Sequence, residues 1–158
     1  GATEDDNSRP RSVRPYLRDT GLVTALGGAD PGDVGRDRDL EADLARVAGY
    51  DHTARFARGV AAAQGRSGPP NVRFWEGRNG DVDFVFEVDD TPVPVGLAYR
   101  ARDRGDTVAA VREFLGAYET PLGLLLTGDT VGGAGAVDHL GDGVVQVPYW
   151  LYLLLSDA

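Results

Sequence analysis

The side chains in this sequence best suited to chemistry are carboxylates. Asp81, Asp83 and Glu87 recur along D-V-D-F-V-F-E-V. The period-two pattern reads as a β-strand over Val82 to Val88, with Asp81, Asp83, Val85 and Glu87 on one face and Val82, Phe84, Phe86 and Val88 on the other. Glu41 and Asp43 lie in a helical stretch that can stand opposite. Two or three carboxylates converging on one point hold Mg²⁺ or Ca²⁺ through hard oxygen ligands, and one reading of these residues is a weak site for either ion. The competing reading makes Asp81 and Glu87 solvated strand-end residues. It gives Asp83 a structural partner, an arginine or a helix N-terminus.

Other site chemistries are excluded or weakly supported. The chain has no cysteine, which removes disulfides, thiolate zinc sites and cysteine nucleophiles. His52, in a helix, and His139, in a loop, are too few for a histidine metal site without carboxylate help. G-G-A-G at Gly132 to Gly135 lacks the lysine that follows in a phosphate loop, and the chain contains no lysine at all. Trp75, Tyr99 and Trp150 read as core or rim aromatics in preference to base-stacking platforms. Arg100, Arg102 and Arg104 form a small basic patch that Asp103 and Asp106 dilute.

All 16 basic residues are arginine, aspartate outnumbers glutamate 19 to 6, and the net charge is -9. An Asp-rich composition without lysine or isoleucine suggests a salt-adapted protein from a GC-rich genome, as in halophilic archaea. Charge of one sign keeps a protein soluble while concentrated salt screens its self-repulsion. The same charge counts mildly against non-specific nucleic-acid binding, which relies on cations displacing phosphate counterions. The apolar run Val147 to Leu155 is too short to span a bilayer, so no membrane partner and a cytoplasmic location are expected. The chain contains no methionine, and we expect it to be a fragment of a longer protein.

Residues 1–12 read as a disordered linker and residues 13–158 as one domain. Val13 to Leu17 suits a strand end, and Leu22, Val23 and Leu26 a short helix closed by Gly27 and Gly28. Asp39 is the expected N-cap of a long helix from about Leu40 to Ala63. Its expected apolar face is Leu40, Leu44, Val47, Ala48, Phe56, Val60 and Ala63, with a kink possible at Gly49 or Gly59. Strands are expected at Val72 to Trp75, Val82 to Val88 and Val93 to Tyr99. Then come a helix capped by Asp106 with a Val108, Val111, Leu115 and Tyr118 stripe, and a buried strand at Gly123 to Thr127. A Gly-rich loop from Gly128 to Gly143 leads to a strand at Val144 to Val147, and Pro148 starts a terminal apolar helix, Tyr149 to Leu155. This order predicts an α/β fold whose sheet is covered by helices on both faces.

The order resembles the αβββαβ core of the restriction-endonuclease-like, PD-(D/E)XK superfamily. More specifically, the chain resembles the C-terminal domain of uncharacterised archaeal AAA-type P-loop ATPases. Four stretches carry the likeness: S-V-R-P-Y-L-R-D-T-G-L-V, the D-V-D-F-V and P-V-P-V-G-L-A-Y-R hairpin, A-V-R-E-F-L, and V-P-Y-W-L-Y-L-L-L. The resemblance implies a central mixed sheet flanked by helices, with Asp83 as the metal-binding aspartate and Glu41, or less favourably Asp43, as the helix acid. It places Gly96 where the family has its second acid and Ala98 where it has its lysine. Those two positions share a strand face, so they are expected to point at the pocket near Asp83, as is Arg100. Neither Gly96 nor Ala98 supplies an oxygen ligand or a cation.

The implied function is that of a degenerate nuclease-like domain, inactive on its own. It would act as a binding or regulatory module of the ATPase part of the polypeptide, contacting nucleic acid (DNA among the candidates) or a protein through the former active-site face. No cofactor is implied beyond weak Mg²⁺ at Asp83 and Glu41. Two alternatives stand beside it: a metal-dependent nuclease with rearranged ligands Glu41, Asp83 and Glu87, and a structural or oligomerisation domain whose terminal Y-W-L-Y-L-L-L helix packs on the ATPase part or on another copy.

Overall fold

The computed structural model describes residues 38–128 and 137–156. The expected linker, the Val13 to Leu17 strand, the short helix at Leu22 to Leu26, the Gly132 to Gly135 loop and the first of the four family-like stretches lie outside the described residues.

Helix α1 spans Arg38–Ala63. Strands β1 (Arg73–Glu76), β2 (Asp81–Val88) and β3 (Thr91–Ala98) follow, then a 3₁₀ turn and helix α2 (Arg104–Tyr118). The chain continues through β4 (Gly123–Thr127), β5 (Asp138–Gly141), β6 (Val144–Pro148) and helix α3 (Tyr149–Ser156). The six strands form one mixed sheet in the order β1-β2-β3-β4-β6-β5. Pairing is antiparallel from β1 to β3, parallel for β3 with β4 and β4 with β6, and antiparallel again for β5 with β6. Helices α1 and α3 cover one face, where Ala45, Ala57 and Tyr152 pack with Phe84, Phe86 and Val95. Helix α2 covers the other, where Val111 and Phe114 pack with Val82, Val85 and Leu125. The α/β sheet flanked by helices is therefore as the sequence predicts.

Several local expectations are corrected. Asp39 lies inside the first turn of α1, not before it. The buried residues of α1 are Ala42, Ala45, Gly49, Thr53, Ala54 and Ala57, while Phe56 and Ala63 are exposed and Leu40, Leu44, Val47, Ala48 and Val60 are only partly buried. The reason is volume. The sheet presents Phe84 and Phe86 to this helix, so its buried residues are small, and the larger Tyr50 and Phe56 reach the two rings from the sides of that face. A Cβ on Gly49 would stand 3.0 Å from the Phe84 ring, so Gly49 marks a close approach within a continuous helix.

Helix α2 buries Val108, Val111 and Leu115 as expected, together with Phe114. Asp103, not Asp106, occupies the N-cap position, and Asp106 sits in the first turn. The Asp89-Asp90 turn joins β2 to β3 with φ of 49° and 62°, the left-handed pair that matches the twist of a two-residue hairpin. His139 belongs to β5 and not to a loop. That edge strand is short and polar, D-H-L-G, so it carries no apolar alternation to read. No described helix is long and apolar enough to cross a membrane.

Candidate functional site

The environment of Asp83 is set by an irregularity in β2. Arg73 pairs with Val85, but Trp75 pairs with Val82, so β2 spends one residue more than β1 over the same span. Such a bulge breaks the two-residue alternation. Val82 and Val85 both pack toward α2, and the intervening Asp83 and Phe84 both reach toward α1. The expected grouping of Asp83 with Val85 and Glu87 on one face is thereby overturned.

Within the α1 side, Asp83 is 6% exposed and fully engaged. Its Oδ1 accepts a hydrogen bond from Arg46 Nε at 2.8 Å. Its Oδ2 accepts one from the Leu97 amide, also at 2.8 Å. Regular pairing of β2 with β3 runs only from Val88↔Thr91 to Phe84↔Val95. The Leu97 N–H lies just beyond that ladder, and the Asp83 carboxylate accepts what a neighbouring strand carbonyl would otherwise take. A buried carboxylate held by a guanidinium and a backbone amide is satisfied in charge and in hydrogen bonding. Arg46 also donates to Asp43 Oδ1 at 3.0 Å, so one arginine joins an exposed acid to a buried one.

The remaining expected site residues do not converge on Asp83. The Gly96 position faces α2: a Cβ there would lie 2.5 Å from Thr107 Cγ2 and 2.9 Å from Val111 Cγ2. Ala98 is fully buried in the same α2-side cluster. Both positions sit across the sheet from the Asp83 carboxylate, contrary to the shared pocket expected of them. Arg100 is likewise engaged elsewhere, donating through Nε to Asp103 at 2.6 Å. Helix α1 presents Arg46 to Asp83 where an acid was expected from Glu41 or Asp43. Glu41 is partly buried and Glu87 lies on the α2 side of β2. Among the described residues no three carboxylate or histidine side chains group closely enough to hold a metal ion, so the set Glu41, Asp83 and Glu87 is not assembled.

Of the histidines, His52 shares a 2.9 Å hydrogen bond with Ser156 Oγ, tying α1 to the end of α3. His139 is exposed. No family model, curated protein or solved structure matches the chain.

Sequence reasoning missed Arg46. A signal was present: the small residues Ala42, Ala45, Gly49, Thr53 and Ala57 recur at three- and four-residue steps and define a face beside which Arg46 lies. Also missed were Arg73 and Glu87 as a pair flanking an aromatic cavity, a feature that depends on the β1–β2 register.

Proposed function

We propose that the chain is a restriction-endonuclease-like domain without nuclease activity, serving as a binding or regulatory module of an archaeal AAA-type ATPase. The order of α1, the antiparallel β1 to β3, α2 and the parallel β4 supports the fold part of this reading. One observation carries the functional part. Both oxygens of the Asp83 carboxylate are committed to protein donors, Arg46 Nε and the Leu97 amide. A metal ion competing for that carboxylate meets a guanidinium at hydrogen-bonding distance, and among the described residues no second and third ligand group with it. Gly96 and Ala98, packed under α2, add neither an acid nor a lysine to the Asp83 side of the sheet.

The test is direct. The purified chain is incubated with single- and double-stranded DNA and RNA in Mg²⁺ or Mn²⁺, across low and high salt, beside an Asp83→Asn control. No metal-dependent cleavage is the expected result. Cleavage that disappears in Asp83→Asn overturns the proposal.

A further inference from the structure

Between α2 and the β1 edge of the sheet lies a cavity of about 230 Å³, lined by Arg73, Trp75, Val85, Glu87, Phe114 and Tyr118 among others. Its wall is aromatic. The Trp75 and Phe114 rings meet edge-on at 5.4 Å, and Phe114 lies 4.4 Å from Tyr118. Its rim carries one positive and one negative side chain. Arg73 stands opposite Val85 in the ladder, and Glu87 follows Val85 by two residues on the same face. Diagonal neighbours of this kind stand about 7–8 Å apart. Arg73 and Glu87 form no ion pair with each other. Arg73 donates through Nε to Asn71 Oδ1 at 2.9 Å, which orients the guanidinium and, among the described residues, leaves both terminal nitrogens for a guest.

This combination restricts the guest. A purely apolar molecule covers two charged groups and satisfies neither. A simple cation meets Glu87 but is repelled by Arg73, and a simple anion meets the reverse. A zwitterion with an apolar body satisfies the cation, the acid and the aromatic wall at once. We propose that this cavity binds a free α-amino acid with an apolar side chain, its carboxylate on Arg73, its ammonium on Glu87 and its side chain against Phe114 and Tyr118. The two-pronged bond from the guanidinium to a carboxylate fixes the guest's orientation. The inference does not depend on the nuclease-like reading, because Asp83 lies across the sheet from this cavity.

Amide-detected NMR titration of the whole chain tests it, using L-leucine, L-phenylalanine, N-acetyl-L-leucine, L-leucinamide and glycine as probes. Leucine and phenylalanine are expected to give saturable shifts at Trp75, Glu87 and Phe114, and glycine none. Capping either charge, as in the acetyl and amide forms, weakens binding about tenfold or more. Arg73→Gln and Glu87→Gln have the same effect and keep the folded spectrum, since both side chains sit at the rim. Absence of saturable shifts with both amino acids overturns the proposal. So does equal binding of leucine and its two capped forms, or binding that both variants leave unchanged.

Discussion

Arg46 and Asp83 meet at 2.8 Å between α1 and the sheet, 37 residues apart in sequence. The acid side chain is 8% exposed and the arginine side chain 30%, so the pair is shielded on one side and wet on the other. Its role is to let a carboxylate remain buried where the β2 bulge places it.

Removing the acid therefore costs more than an exposed ion pair does. Asp83→Ala leaves the Leu97 amide and one arm of Arg46 without their acceptor, and is expected to lower stability by about 2–3 kcal/mol. Asp83→Asn keeps an oxygen for one donor and is expected to cost less. Arg46→Met leaves the buried carboxylate its Leu97 amide but removes its guanidinium, and costs about 1–3 kcal/mol, at the lower end because the guanidinium is partly solvated. Urea unfolding midpoints, with unchanged slopes, check all three.

At Gly96 the expectation is steric. Adding a Cβ that would stand 2.5 Å from Thr107 Cγ2 and 2.9 Å from Val111 Cγ2 forces α2 away from the sheet. Gly96→Ala is expected to destabilise by about 1–3 kcal/mol. Thr107→Ser removes the nearer methyl and retains the hydroxyl that donates to the Asp103 carbonyl, so the double variant recovers part of the loss. A double-mutant cycle in urea measures the coupling, and strict additivity would contradict this packing.

Burial pushes the Tyr152 phenol up to about 12, with the hydrogen bond shared with Thr53 acting the other way. Tyr149 is raised further, chiefly by burial and also by the neighbouring Tyr99 and Tyr152. A phenol whose folded pKa exceeds its unfolded value of about 10 holds its proton more tightly when folded. The stability it contributes is complete below pH about 10 and declines as pH rises toward the folded value. Unfolding midpoints measured from pH about 8 to about 11.5 are expected to fall above pH about 10. Tyr149→Phe/Tyr152→Phe should fall less steeply over the same window.

Glu113 makes the opposite prediction in acid. Its carboxylate accepts the backbone amides of Arg78 and Asn79, each at 3.0 Å, clamping the β1–β2 turn to α2. Those two amide bonds hold its pKa below the ordinary glutamate value. The stability they contribute is present above the unfolded pKa and is lost as pH falls through the folded one. Glu113→Gln is expected to cost on the order of 1 kcal/mol at neutral pH, and the difference from the parent chain should shrink below pH about 4. Paired urea titrations at the two pH values check the sign.

Much of the architecture is legible in the residues. The apolar alternation of Val93, Val95 and Leu97, the stripe Val108, Val111 and Leu115, and the run G-L-L-L-T are local signals that packing had only to accept. The site is less legible. Asp83 was identifiable as the acid of interest, and an arginine partner was one of the two structural roles open to it. Which arginine, and on which side of the sheet, depended on contacts that no local pattern encodes. The exposed Trp150, Leu154 and Leu155 of α3 are similarly plain as an apolar run, but their outward orientation follows from Tyr149 and Tyr152 packing on α1.

The sequence by itself determined the order and type of the described elements other than β5, and a chemistry without thiols or lysine, because these follow from residue type and short-range periodicity. Only the tertiary structure decided which face of α1 is buried, that β2 carries an extra residue against β1, and that Asp83 and Gly96 look to opposite sides of the sheet. A bulge exists only in the register between two strands, and a helix face is chosen by the volume of what it packs against. A local pattern contains neither partner.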